Sequence, residues 1–207
     1  MEPRILIILG STRENRRGDA IARWAAEHAK ARSDADFELV DLKDWPLPFF
    51  KSPLPPAFGH YDAAARPWAD LVDAADGYLF VTPEYNHGYP AVLKNALDHL
   101  FREWGHKPAA ILSYGATGDG FRAAEQLRQV LVELRMVPVR EQVGVSLKAP
   151  FLDDAGRARD ERLVQALDGM LAELVWWAAT LKPARLAREP AASPRHDHPA
   201  IVASVQA

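Results

Sequence analysis

The sequence predicts an α/β protein: an open, five-stranded parallel sheet with helices covering both faces. Three observations predict it. Five short runs are too continuously apolar for strands with one wet face. They alternate with five stretches whose apolar residues recur at helical spacing, the pattern of a parallel sheet with helical crossovers. The 207 residues, 48% hydrophobic and 26% charged, supply a core for one domain rather than two.

Taken in order, the first strand is Arg4 to Leu9 (RILIIL), which runs into Gly10. Ile21, Trp24, Ala25 and His28 then mark the first helix, with Asp19 in its first turn, where a carboxylate suits the helix dipole. Phe37 to Val40 is a short second strand. Prolines at 46, 48, 53, 55 and 56 make a long irregular loop, with Trp45 open to three roles: cover over a ligand, subunit contact or core. A helix is expected from about Tyr61 to Ala74, the third strand over Gly77 to Thr82, and a third helix from Pro90 carrying Val92, Leu93, Ala96, Leu97 and Leu100 on one face. Pro108 to Tyr114 is the fourth strand. Ala124, Leu127, Leu131 and Leu134 mark the fourth helix, and Val137 to Val145 the fifth strand, with an irregularity at Pro138. Leu163, Leu167, Met170, Leu171 and Leu174 define a fifth helix that Pro183 is expected to close. Residues 183–207, with prolines at 190, 194 and 199, read as a mobile tail after a domain spanning 1–182.

Composition excludes whole classes of chemistry. The chain has no cysteine, hence no disulfide framework, thiolate metal site or catalytic thiol. A net charge of −3, from 25 basic and 28 acidic side chains, gives no basic field for nucleic acid or an anionic membrane. No apolar run reaches the ~18 residues of a membrane span, so a cytoplasmic protein is expected. The pair His196 and His198 around Asp197 suggests a metal ligand set, but in a proline-rich stretch it reads as incidental; no metal is expected.

In such sheets ligands bind beyond the carboxyl ends of the strands, at the point where strand order reverses. Three loops therefore matter. Gly10 to Gly18 (GSTRENRRG) opens onto a helix N-terminus, an anion site by its free N–H groups and dipole. It lacks both GxGxxG and GK[ST]. It offers instead the hydroxyls of Ser11 and Thr12 and the guanidinium groups of Arg13, Arg16 and Arg17, which suit a terminal monophosphate; a solvated basic turn is the alternative. Pro83 to Pro90 (PEYNHGYP) places Tyr85 and Asn86 toward the first loop, where a flat heteroaromatic ligand would extend, although Tyr85 also fits simple packing. His87 suits a rim position, because no partner for a catalytic base stands near it in sequence. Gly115 to Gly120 (GATGDG) permits close backbone approach. Together the three loops favour a planar phosphorylated cofactor.

GSTRENRRG after the first strand, TPEYNHGYPAVLKNALDHL over Thr82 to Leu100, and the glycine-rich turn after the fourth strand resemble the NADPH-dependent FMN reductase family over roughly residues 4–180. The resemblance implies a flavodoxin-like three-layer sandwich with sheet order 2-1-3-4-5. It implies an NAD(P)H-dependent, FMN-containing oxidoreductase that works by ping-pong hydride transfer on flavin, quinone, azo or oxyanion acceptors. It also implies that Ser11, Thr12, Arg13, Arg16, Arg17 and Gly18 hold the phosphate. Pro83, Glu84, Tyr85, Asn86 and His87 would line the isoalloxazine, with Gly115, Ala116, Thr117 and Gly118 closing its other edge. The flavin carries the electrons, so no catalytic side chain is expected. FMN is expected over FAD, since the first loop has no second phosphate cradle, with NADPH or NADH as hydride donor. The family pattern has a Ser or Gly pair and then Pro-Gly after PEYN; this chain has His87-Gly88-Tyr89-Pro90-Ala91. A homodimer, or a dimer of dimers, through the third and fourth helices is implied, with Trp176 and Trp177 as a second seam or as core. A non-catalytic electron carrier and an FMN-binding regulatory protein share the fold and are the alternatives.

Overall fold

The computed structural model describes residues 2–58 and 62–187. Five strands, β1 (Arg4–Leu9), β2 (Asp36–Asp41), β3 (Gly77–Pro83), β4 (Pro108–Gly115) and β5 (Val137–Ser146), alternate with α1 (Gly18–Lys30), α2 (Arg66–Asp73), α3 (Ala91–Asp98), α4 (Phe121–Glu133) and α5 (Glu161–Ala187). All neighbouring strands pair in parallel in the order β2-β1-β3-β4-β5, as expected. The reversal of order lies between β1 and β3, beside the first loop.

Both faces of the sheet are buried, which explains the continuous apolar strands. Ile5, Ile7, Leu9, Leu79, Val81, Ala110 and Leu112 face the layer of α1 and α5. Their alternating neighbours Leu6, Ile8, Tyr78, Phe80, Ala109 and Ile111 face α2, α3 and α4. The second layer centres on aromatic rings: Trp104 packs against Trp68, Tyr78 and Phe80, with centroids 4.9–6.1 Å apart. The register between β4 and β5 shifts between Ala109 and Ile111, opposite Pro138, which cannot donate to the ladder.

Two elements differ from expectation. The helix sought from Tyr61 is a 3-10 turn, Ala63–Ala65, capped by the Asp62 carboxylate, followed by the shorter α2 with a proline in its first turn; Tyr61 itself lies outside the described residues. Helix α5 does not stop at Pro183 but continues to Ala187. The proline costs one backbone bond, yet Lys182 (2.7 Å) and Arg185 on either side of it both pair with Asp76, which also accepts the Arg4 N–H. Those contacts hold the turn that the proline weakens. The expected boundary at 182/183 thus falls inside a helix, and residues 188–207, including His196 and His198, lie outside the described residues. Trp45 is half-buried with its ring 5.4 Å from Trp68, an edge of the core. Trp177 packs on the α5 layer, whereas Trp176 is exposed. Among the described residues no helix is long and apolar enough to cross a membrane, and no group of three His, Cys, Asp or Glu side chains could hold a metal ion.

Candidate functional site

The first loop leaves β1 at Gly10, whose N–H donates to the Val81 carbonyl at 2.9 Å. Ser11 is buried, and its Oγ lies 2.8 Å from the Tyr85 Oη of the third-strand loop. Thr12 to Asn15 are exposed, with Asn15 in the left-handed region at φ 51°. Arg13 lies over the Tyr85 ring, 5.9 Å from its centroid. Arg17, at the cap of α1, makes no side-chain cap bond and lines a cavity of about 360 Å³ with Ala20, Lys148 and Phe151.

Arg16 is used differently from its two neighbours. It is buried, and its guanidinium donates to the Asp19 carboxylate at 2.9 Å, to Asp41 and to the Ser11 carbonyl. Burial alone would lower its affinity for a proton; the hydrogen bonds to Asp19 and Asp41 outweigh it and raise the pKa. Arg16 is expected among the phosphate ligands; in the structure its Nε, Nη1 and Nη2 each bond within the protein, which shapes the loop and ties it to β2.

The third-strand loop is a two-residue turn. The Tyr85 N–H donates to the Gly88 carbonyl at 2.8 Å and the Gly88 N–H returns to Tyr85 at 3.0 Å. Asn86 (φ 51°) and His87 (φ 69°) between them are both left-handed, the geometry of a type I′ turn. Asparagine tolerates that region, which explains its place here. The fourth-strand loop needs glycine: a Cβ on Gly120 (φ 83°) would stand 2.6 Å from the Tyr114 nitrogen, and one on Gly115 3.0 Å from the Gly120 nitrogen. Ala116, Thr117 and Gly118 are exposed.

Glu84 and Arg122 join these two loops. The Glu84 side chain is 7% exposed; it accepts the Arg122 backbone N–H at 3.2 Å at the start of α4 and pairs with the Arg122 guanidinium at 2.6 Å. The same guanidinium reaches the Thr117 carbonyl and, at 2.9 Å, His87 Nε2. An arginine can only donate, so His87 Nε2 accepts and the ring proton sits on Nδ1. Arg122 carries no sequence signal, because it stands just after the glycine motif, in the first turn of α4, in a chain with many arginines. On α3, Asn95 bonds the Pro48 carbonyl (2.9 Å) and the Phe50 N–H (2.8 Å), and His99 Nε2 donates to the same Pro48 carbonyl at 2.8 Å. The LKNALDHL stretch therefore anchors the proline-rich loop.

The family model described as NADPH-dependent FMN reductase matches residues 3–149. The chain belongs to the NADPH-dependent FMN reductase family. It is 46% identical over 137 residues to an NAD(P)H-dependent FMN reductase of Schizosaccharomyces pombe, covering 65% of this chain and 68% of that one. It is 37% identical over 144 residues to a 2-hydroxy-1,4-benzoquinone reductase of a Burkholderia species, covering 66% and 74%. A flavoenzyme NAD(P)H:acceptor oxidoreductase of Paracoccus denitrificans superposes with a TM-score of 0.73 at 22% identity, covering 86% of this chain and 98% of that one, and shares the fold. As a family member the chain is an oxidoreductase with FMN and NAD(P)H as its cofactors.

The residues at this sheet edge fit FMN. The uncapped start of α1 offers N–H groups to an anion. Gly115 and Gly120 have no room for a Cβ against the turn's own backbone, and the tight turn they permit leaves Ala116 to Gly118 exposed where a ring edge would approach. One phosphate cradle and no GxGxxG suit a mononucleotide.

Proposed function

We propose that this chain is an NAD(P)H-dependent quinone and flavin reductase that works in two half-reactions at one place, NAD(P)H entering first and the acceptor second. Azo compounds and metal oxyanions belong to the same acceptor range. In this reading Ser11, Thr12, Arg13 and Arg17, with the N–H groups at Gly18 and the rest of the first turn of α1, hold the FMN phosphate, while Arg16 holds the loop itself. Pro83, Glu84, Tyr85, Asn86 and His87 form one wall for the ring, and Gly115, Ala116, Thr117 and Gly118 the other. FMN, when bound, supplies a carrier that takes a hydride from NAD(P)H and delivers both electrons to the acceptor. The Glu84–Arg122 pair keeps the two walls in register. His87 presents Nδ1–H as a donor at the rim, suited to an acceptor oxygen, and a quinone takes its second proton from solvent.

The observation that carries this reading is the junction of the three loops: Ser11 to Tyr85 at 2.8 Å, and Arg122 bridging Glu84, His87 and Thr117. The relatives named as FMN and benzoquinone reductases support the acceptor class. A homodimer through α3 and α4 is part of the reading, supported by Phe121 (43% exposed) and Val132 (62%) on α4.

Steady-state rates with the FMN-loaded protein test the reading, with NADPH and a benzoquinone varied together. Parallel double-reciprocal lines are expected. Intersecting lines overturn the two-half-reaction order, and no quinone-dependent oxidation of NADPH overturns the enzyme in favour of an electron carrier.

A further inference from the structure

We infer that His87 selects the electron acceptor: its neutral imidazole, fixed by Arg122, steadies the negative charge that forms on a quinone oxygen, so this chain favours carbonyl acceptors over acceptors that take electrons alone. The inference rests on the two-walled ring site proposed above and names what that site prefers to reduce.

His87 is the second central residue of the turn from Tyr85 to Gly88, at φ 69°. That position of a type I′ turn needs positive φ and ordinarily holds glycine. Here the glycine stands one place later, and the chain keeps a large side chain where the backbone asks for none; residues held against such a preference cluster at functional sites. The imidazole is exposed rather than packed in the core, and its Nε2 lies 2.9 Å from Arg122 Nη1. Arg122 is itself fixed, paired with the buried Glu84 carboxylate at 2.6 Å and bonded to the Thr117 carbonyl. These bonds join the third- and fourth-strand loops, so the imidazole stands between the two walls. An imidazolium has no lone pair to accept from a guanidinium. The bond to Arg122 therefore exists only with the neutral ring, and it places the single ring proton on Nδ1.

The net reaction converts a quinone, NAD(P)H and a proton into a hydroquinone and NAD(P)+. The quinone gains two electrons and one hydrogen as hydride, which leaves negative charge on one oxygen, and a proton from water completes the second O–H bond. A donor aimed where that charge develops speeds the step. Neutral imidazole is too weak an acid to surrender Nδ1–H, so it contributes a hydrogen bond and ends the step unchanged. Ferricyanide takes one electron per ion, forms no such oxygen anion and gains nothing from the donor.

The test follows reoxidation of the FMN-loaded protein, reduced beforehand with one equivalent of NADPH and mixed rapidly with benzoquinone or ferricyanide. Wild type is compared with His87→Gly and His87→Asn. Glycine suits φ 69° and asparagine tolerates it, so neither variant strains the turn, and the asparagine amide offers an N–H one bond beyond Cγ, as His87 Nδ1 does. In His87→Gly the ratio of the limiting rate constant with quinone to that with ferricyanide is expected to fall by about tenfold or more. In His87→Asn it should return to within about threefold of wild type. An unchanged ratio, or the same fall in both variants, overturns the inference. Nitrogen NMR of the oxidised, FMN-loaded wild type is the second readout, with the His87 signals identified by their absence from His87→Asn. Nδ1 should carry the proton and Nε2 should not; the reverse overturns the inference. Wild type that NADPH does not reduce, or that quinone does not reoxidise, overturns instead the underlying reading.

Discussion

Three arginines of one loop, alike in sequence, separate by what their guanidinium groups touch. Arg16 sits among Asp19, Asp41 and the Ser11 carbonyl, whereas Arg13 is exposed over Tyr85. Asp19 and Asp41 keep 40% and 25% of their side-chain exposure, so water takes back part of what Arg16 gives them. Arg16→Ala is expected to cost about 1–3 kcal/mol of unfolding free energy and to weaken FMN through a loosened loop. Arg13→Ala is expected to leave stability within about 0.5 kcal/mol while weakening FMN more than riboflavin. Urea unfolding and flavin titration of the two variants check this; equal stability losses would mean that Arg16 does not hold the loop. The clustering of the arginines was legible, but their division of labour was not. It depends on Asp41, a residue of β2 that only the parallel pairing of β1 with β2 brings close.

At the scale of elements, helix α3 shows why a motif can be recognised before its use is known. PEYN and LKNALDHL stand within one stretch, yet Asn95 and His99 turn away from the three loops and grip Pro48 and Phe50. The loop they hold has few regular backbone bonds of its own, because its prolines cannot donate. Asn95→Ala removes two of the three bonds and is expected to cost about 1–3 kcal/mol and to expose the segment from Pro46 to Phe58 to proteases. Limited proteolysis with mass analysis reads this directly; an unchanged cleavage pattern would place the loop's anchorage elsewhere, in the Trp45–Trp68 contact. Helix α5 gives the opposite lesson. Pro183 is a sound stop signal locally, and it was overridden by ion pairs to Asp76, more than 100 positions earlier in the chain, which no local pattern reports.

For the whole molecule, strand order and the two-faced burial were legible because each strand is apolar on both sides and each crossover must be right-handed. The candidate site was legible as loops, since glycine, proline and asparagine announce backbone geometry, but not as a network, since Arg122 joins residues of two loops that are far apart in sequence. The sheet also separates two poles. Its carboxyl edge carries the cofactor loops. Its amino edge carries Asp76 with Lys182 and Arg185, and the buried Lys107, whose amine donates to the Val72 and Asp73 carbonyls at 2.9 Å and ends α2. Burial first, and then the charge of Arg185, lower the Lys107 pKa from 10.5 to about 7 against the opposing pull of Asp73, Asp76 and Glu103. Below pH 7 the amine is charged in both folded and unfolded chains, and the fold bears the full cost of burying that charge. From pH 7 to 10.5 the unfolded chain holds the proton that the folded chain has released, so stability rises with pH. A neutral amine keeps two N–H donors, so the bonds to α2 persist. Wild type should therefore gain stability relative to Lys107→Met by about 1.4 kcal/mol per pH unit inside that window, with the difference flat outside it. The cofactor pole lies roughly 20 Å away, one strand length. Arg122→Ala, which leaves the buried Glu84 carboxylate its backbone N–H donor but no ion-pair partner, should weaken FMN and cost about 1–3 kcal/mol, and Lys107→Met should leave FMN affinity alone. Their stability effects should add in the double variant within about 0.5 kcal/mol. Urea unfolding of the four proteins at pH 6 and pH 9 tests both claims, and a coupling well above that margin would mean that the two ends of the sheet do not act independently.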